Sequence, residues 1–99
     1  MAADVLISNA TSDTVGTGVS IRVVGTQIPP AKMSIQIAID GKAKVQIQGR
    51  LHKEAPWADI GEQRERSCLF YIDPIWSLRA VSTEVGVDSS VSVWAAWNI

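Results

Sequence analysis

Cysteine occurs once in this sequence, at Cys68. One thiol excludes an internal disulfide and a cysteine-based zinc site, so the fold must rest on packing and the backbone ladder. Because Cys68 precedes the apolar run Leu69-Phe70-Tyr71, it reads as a buried, inert thiol. Histidine also occurs once, at His52. No motif sets a serine or cysteine near it, which predicts a surface residue and no nucleophilic catalysis. One His with one Cys is too few to hold a metal ion. Nothing brings two of the carboxylates Asp59, Asp73 and Glu84 together for acid–base work. Phosphate-cradle motifs are missing as well, and Gly16-Thr17-Gly18 reads as a turn. The sequence therefore predicts no enzyme, no cofactor and no metal.

Charge of one sign is also in short supply. The 9 basic and 10 acidic residues leave a net charge of -1, with no long-range pull toward nucleic acid or anionic lipid. Lys42 with Lys44, and Arg50 with His52 and Lys53, read as solvated strand faces rather than a phosphate-binding patch. No apolar run approaches the roughly 20 residues of a membrane helix. The opening MAADVLISNATSD has no basic start and no long apolar stretch, which predicts no signal peptide. The acceptor sequence at Asn9, Ala10 and Thr11 then reads as chance.

Helical periodicity is nearly absent. The best helical stretch, Ile60–Cys68, is short and almost wholly polar, so it predicts at most one or two turns within a loop. What the chain has is alternation. Met33, Ile35, Ile37 and Ile39 share one face of an extended run, while Ser34, Gln36, Ala38 and Asp40 share the other. Ala43–Leu51, Gly18–Gly25 and Val91–Trp97 repeat the pattern, and weaker strands are expected at Asp4–Asn9, Leu69–Ile72 and Leu78–Val85. Breakers separate these runs: Gly16-Thr17-Gly18, Pro29-Pro30, Asp40-Gly41, Ala55-Pro56, Asp73-Pro74 and Gly86. With 99 residues, 46% of them hydrophobic and 19% charged, one globular domain spanning 1–99 is expected. Its class is all-β: an antiparallel β-sandwich, jelly-roll or Ig-like, of about seven strands with little or no helix. Spacings this short leave no room for βαβ units.

The Asp40-Gly41 turn carries a constraint. A two-residue hairpin loop would pair Ile37 with Lys44 and set isoleucines beside lysine on one face. An odd loop over Asp40–Lys42 instead pairs Ile39 with Ala43, Ile37 with Val45 and Ile35 with Ile47, with Gly41 at positive φ. The alternative is a chain that crosses between two sheets here, leaving the strands unpaired.

Four tryptophans stand beside a single Tyr and a single Phe, which makes Trp57, Trp76, Trp94 and Trp97 the interface candidates. Trp94 and Trp97 have opposite parity on the last strand. If Trp97 shares the core face with Val91 and Val93, Trp94 points outward and must be covered by a loop, a ligand or another chain. Trp57 and Trp76 sit near prolines at strand margins, placed to plug the sandwich or to anchor a partner. Exposed tryptophans also serve as stacking platforms in carbohydrate-binding sandwiches. Gln36, Gln46, Gln48 and Arg50 could supply the polar part of such a face, but the tryptophans do not fall on those strands.

The run Val45–Leu51, followed by Ala55-Pro56-Trp57-Ala58-Asp59-Ile60-Gly61, then Leu78–Thr83 and Val91–Trp94, resembles small all-β virion structural proteins of tailed bacteriophages. The resemblance spans roughly residues 33–97; Trp57, Asp59 and Arg79 match it as structural positions. It implies a capsid decoration or cement protein that binds the major capsid protein or other virion proteins in many copies or as a homo-oligomer. A head-fibre, tail or baseplate accessory protein is implied as the alternative. It also implies a place in the virion after assembly in the bacterial host's cytoplasm, with no nucleic acid or membrane bound. Met1–Asp13 is a possible docking arm, set against an ordinary first strand.

Overall fold

A computed structural model describes residues 2–20, 32–73 and 75–97. These hold nine strands and no helix: β1 (Ala2–Ala10), β2 (Thr14–Val15), β3 (Val19–Ser20), β4 (Met33–Asp40), β5 (Lys44–Arg50), β6 (Ala58–Arg64), β7 (Cys68–Ile72), β8 (Ser77–Thr83) and β9 (Ser90–Trp97). They form two antiparallel sheets. Sheet A runs β1-β9-β4-β7, and sheet B runs β2-β8-β5-β6 with β3 continuing the β2 edge along β8. The pairing is nested. Around the β5–β6 hairpin, β4 pairs with β7, then β2 and β3 with β8, then β1 with β9. A doubled strip rolled across two sheets in this order is a jelly roll, and the Ig order of strands does not fit.

Alternation builds the core. Met33, Ile35 and Ile37 from β4 and Val91, Val93 and Ala95 from β9 face Val45 and Ile47 from β5 and Leu78 and Ala80 from β8, all buried. Each strand contributes one dry face, and two such faces close on each other. Trp97, 8% exposed, ends the β9 core row beside its strand partner Met33.

The odd hairpin at Asp40-Gly41 does not form. β4 lies in sheet A and β5 in sheet B, so the chain crosses between sheets and Ile37 pairs with Cys68 and Val93 instead of Val45. A hairpin and a crossover bury the same isoleucines, so alternation alone does not separate them. Gly41 does take positive φ, at 94°. A side chain there would strike the Ser89 hydroxyl. That hydroxyl accepts the Lys42 N–H at 2.9 Å, and the Gly86 N–H donates to the Lys42 carbonyl at 2.8 Å. The β4–β5 and β8–β9 corners thus cross between sheets side by side, pinned to each other.

Two more expectations are corrected. Ile60–Cys68 holds no helical turn, because Ala58–Arg64 is β6, an edge strand. Its register shows why its period was hidden: Ile60 pairs with Ile47 and Arg64 with Val45, so four residues of β6 span two of β5. The two extra residues form a bulge that erases the alternation. The first edge of sheet B is likewise split by Gly16-Thr17-Gly18 into β2 and β3, so nine strands replace about seven. Expected strand residues 21–25 and the Pro29-Pro30 breaker lie outside the described residues, as does Pro74. Residues 2–10 of the segment weighed as a docking arm form β1, paired with β9 in the chain's own sheet.

Candidate functional site: the outer faces of the two sheets

The outer face of sheet B is crossed by contacts among its own polar side chains, with the Arg50 Nε buried and without a hydrogen-bond partner among the described residues. One rung crosses β8, β5 and β6. The Arg79 Nε donates to the Gln48 Oε1 at 2.8 Å, and the Gln48 Nε2 donates to the Asp59 Oδ1 at 2.9 Å. Trp57 lies over this rung. The guanidinium groups of Arg50 and Arg79 stand 4.3 and 4.5 Å from its ring centre. The ring also lies against Gly18, where an added side chain would meet it at 3.0 Å, so the gap between β2 and β3 receives the indole. The Gln46 Nε2 donates to the Ile47 carbonyl at 3.0 Å, with the Ile60 and Gly61 carbonyls of the bulge at 3.4 and 3.3 Å. At the far end, the Lys44 ammonium meets Glu84 at 2.6 Å and Glu65 at 3.7 Å. Hydrogen bonding and charge from Glu84 raise the Lys44 pKa above the ordinary lysine value. The same contact with Lys44 holds Glu84 below the usual carboxylate range. Trp57 therefore has its π-face occupied by the chain's own cations.

The outer face of sheet A is built differently. Strand registers align Val5 with Trp94, Trp94 with Gln36 and Gln36 with Leu69, which makes one rung across all four strands. The next rung runs Ala3, Ala96, Ser34 and Tyr71. Residues opposite one another share a face, so Val5 and Trp94 form one apolar pair and Leu69 and Tyr71 another on the same outer face. They are 47%, 39%, 65% and 70% exposed. Gln36 and Ser34 lie between Trp94 and the β7 pair, and the small Ala96 keeps the middle of the surface low. Charge stands at the margins of this surface: Asp40 at the end of β4, exposed Asp4 beside Val5 on β1, and the Lys32–Asp73 ion pair at 2.8 Å, one step beyond Ser34 and Tyr71. Exposed apolar side chains on three of the four strands, with charge only at the margins, fit association with another molecule.

The four tryptophan candidates are thus divided by the fold. Trp97 is core, Trp57 belongs to the sheet B network, and Trp94 is the centre of the sheet A face. Trp76 is 46% exposed, just before β8, and joins neither group. Gln36 parts from Gln46, Gln48 and Arg50, which lie on the opposite sheet; it becomes the neighbour of Trp94. Leu69, Tyr71 and Val5 were not singled out by sequence. The signal that finds them is parity: Leu69 and Tyr71 alternate with Cys68, Phe70 and Ile72, which pair with the core positions of β4. Cys68 is half-buried on that inward side, and His52 is exposed, with its Nδ1 accepting the Glu54 N–H at 3.1 Å.

A groove of about 420 Å³ opens between the edges of the two sheets, lined by Ile60, Arg64, Phe70, Ile72 and Ile75 among others. Arg64 pairs with core residue Val45, so it points inward, and its guanidinium stacks 4.3 Å from the Phe70 ring centre. Its Nε is buried without a hydrogen-bond partner among the described residues. No three His, Cys, Asp or Glu side chains among the described residues gather into a metal-binding group. No helix there is long and apolar enough to cross a membrane. No protein-family model, curated protein or solved structure matches the chain significantly.

Proposed function

We propose that this chain is a capsid decoration protein of a tailed bacteriophage, which binds the major capsid protein through the outer face of sheet A. The observation that carries the reading is the contrast between the aromatic residues of the two faces. Sheet B covers Trp57 with the Arg50 and Arg79 guanidinium groups, whereas sheet A presents Trp94, Val5, Leu69 and Tyr71 around the uncharged Gln36 and Ser34. Burying these side chains removes apolar area from water, as at interface cores. Binding only the assembled shell would stabilise that shell by mass action. The test mixes purified protein with mature capsids. Co-sedimentation at micromolar concentration that is lost in Trp94→Lys and retained in Trp57→Ala supports the reading. Absence of wild-type binding counts against it. Pelleting with tails or baseplates instead would assign the same face to the accessory-protein alternative.

A second reading has one observation in its favour. Gln36 beside Trp94, with Ser34 and Tyr71 on the next rung, sets hydrogen-bonding groups between two aromatic rings, as a carbohydrate platform does. A tryptophan-fluorescence titration across a glycan panel separates the two. Saturable quenching by a sugar that Trp94→Lys abolishes favours the glycan, and a flat response favours the protein partner.

A further inference from the structure

A sandwich has four sheet edges, and each is a row of unpaired backbone groups that could recruit another strand. Three of the four are guarded here. The β1 edge is broken by register shifts between Val5 and Ile7 and between Ile7 and Ala10. The β2–β3 edge consists of two-residue pieces. The β6 edge carries its bulge and turns Arg64 inward. Bulges, short strands and inward charges are the devices that stop edge pairing. The fourth edge, β7, has none of them. Its five residues Cys68–Ile72 keep an unbroken register with β4 from Met33–Ile72 to Ile37–Cys68, without charge or proline, and no described strand pairs with its other side.

We propose that β7 pairs, edge to edge and antiparallel, with β7 of a second copy of this chain about a two-fold axis through Phe70. The strand is self-complementary in that register. Leu69 falls opposite Tyr71 of the second copy, and Cys68 opposite Ile72, so every central pair is apolar. Beyond these pairs Ser67 of each copy falls opposite Asp73 of the other, and each Asp73 keeps its own partner, the Lys32 ammonium at 2.8 Å. A single patch that complements itself is what a two-fold contact requires. The groove between β6 and β7, floored by Ile60, Ile72 and Ile75, gives the inward side chains of the added strand a place to enter. The pairing would extend sheet A to eight strands and join two copies of its apolar outer face, so capsid binding would gain from two linked contacts. The inference does not depend on the capsid reading, because edge pairing is measured on the chain alone, although Leu69 and Tyr71 belong to both contacts.

Sedimentation velocity up to roughly 100 μM tests the contact, a range that detects weak association. Wild type is expected to show a concentration-dependent dimer. The double substitution Leu69→Lys with Tyr71→Lys sets like charges opposite each other, and it is expected to weaken the dimer at least about tenfold. Trp94→Lys, away from the edge, is expected to leave it intact. On a Cys68→Ala background, Leu69→Cys with Tyr71→Cys should form a covalent dimer under mild oxidation, since opposite positions lie about 4.5–5.5 Å apart at Cβ. Hydrogen exchange on the unmodified chain should show β7 amides slowing as concentration rises. A wild-type monomer throughout the range overturns the proposal. So does a dimer indifferent to the lysines, one dissolved by Trp94→Lys, one that does not cross-link in this register, or one whose β7 amides exchange at the monomer rate.

Discussion

The two outer faces of this sandwich come from strands with the same alternating texture, yet they treat their polar and aromatic residues in opposite ways. On sheet B, Trp57 is enclosed by Arg50, Arg79 and Gly18, and Gln48 is held between Arg79 and Asp59. On sheet A, Trp94 has Val5 and Gln36 as cross-strand neighbours, and no cation stacks on its ring among the described residues. A tryptophan whose ring is occupied by its own chain contributes to folding. One left open has that free energy available for a partner. Aromatic content alone does not separate the two; the neighbouring side chains do.

The largest effect expected from breaking this contrast is on binding. Trp94→Lys should lower capsid affinity at least about 30-fold, the equivalent of a 2 kcal/mol hot spot, with the folding free energy moving by no more than about 0.5 kcal/mol. Paired co-sedimentation and urea denaturation of the one variant measure both numbers. A Trp94 variant that unfolds instead would make the sheet A face structural and erase the contrast.

Trp57→Ala should do the reverse. Loss of two cation–π contacts and of the indole packed on Gly18 is expected to destabilise the fold by about 2 kcal/mol, while capsid affinity of the folded fraction is unchanged. The urea midpoint reports it. A smaller loss, about 1 kcal/mol, is expected for Gln48→Ala, which frees the Arg79 Nε and the Asp59 carboxylate of their partner. Thermal unfolding of the single and double variants at Gln48 and Asp59 would show coupling, since both belong to one rung.

The smallest effect is electrostatic. Glu84 has a lowered pKa in the folded chain, so its contribution is present above the carboxylate's unfolded value and is lost as pH falls through the folded value. Lys44 has a raised pKa, so its contribution is complete below the unfolded lysine value and is lost as pH rises through the folded one. Both groups are exposed and screened, so the melting temperature should sag only slightly on either side of neutrality. Glu84→Gln should flatten both sags. A wild-type curve no different from that of Glu84→Gln would show that the pair contributes nothing.

Legibility followed the strength of the period. Met33–Asp40, Ala43–Leu51 and Val91–Trp97 alternate without interruption, and they became β4, β5 and β9, the paired centre of the fold. The opposite parity of Trp94 and Trp97 placed one in the core and one outside. Ala58–Arg64 was hidden because its bulge adds two residues and sets exposed Glu62 between Ile60 and Arg64, and because an edge strand beside an open groove can carry Gln63 and Arg64 without burying them fully. Half of the sheet A face was hidden too. Leu69 and Tyr71 look in sequence like part of a buried run, and only their pairing with Gln36 and Ser34 turns them outward.

From the chain alone follow an all-β domain, its strongest strands, the dry side of each and the positive φ at Gly41, because these depend on local alternation and on the steric freedom of single residues. Which sheet each strand joins came from tertiary structure. A dry face is satisfied equally by a hairpin neighbour or by a strand across the sandwich, and only the packing of all nine strands chose the latter for β4 and β5. The same choice separated Gln36 from Gln46 and Gln48, wrapped Trp57 in arginines and left Trp94 exposed. The face assigned to partner binding therefore exists only once the two sheets have closed on each other.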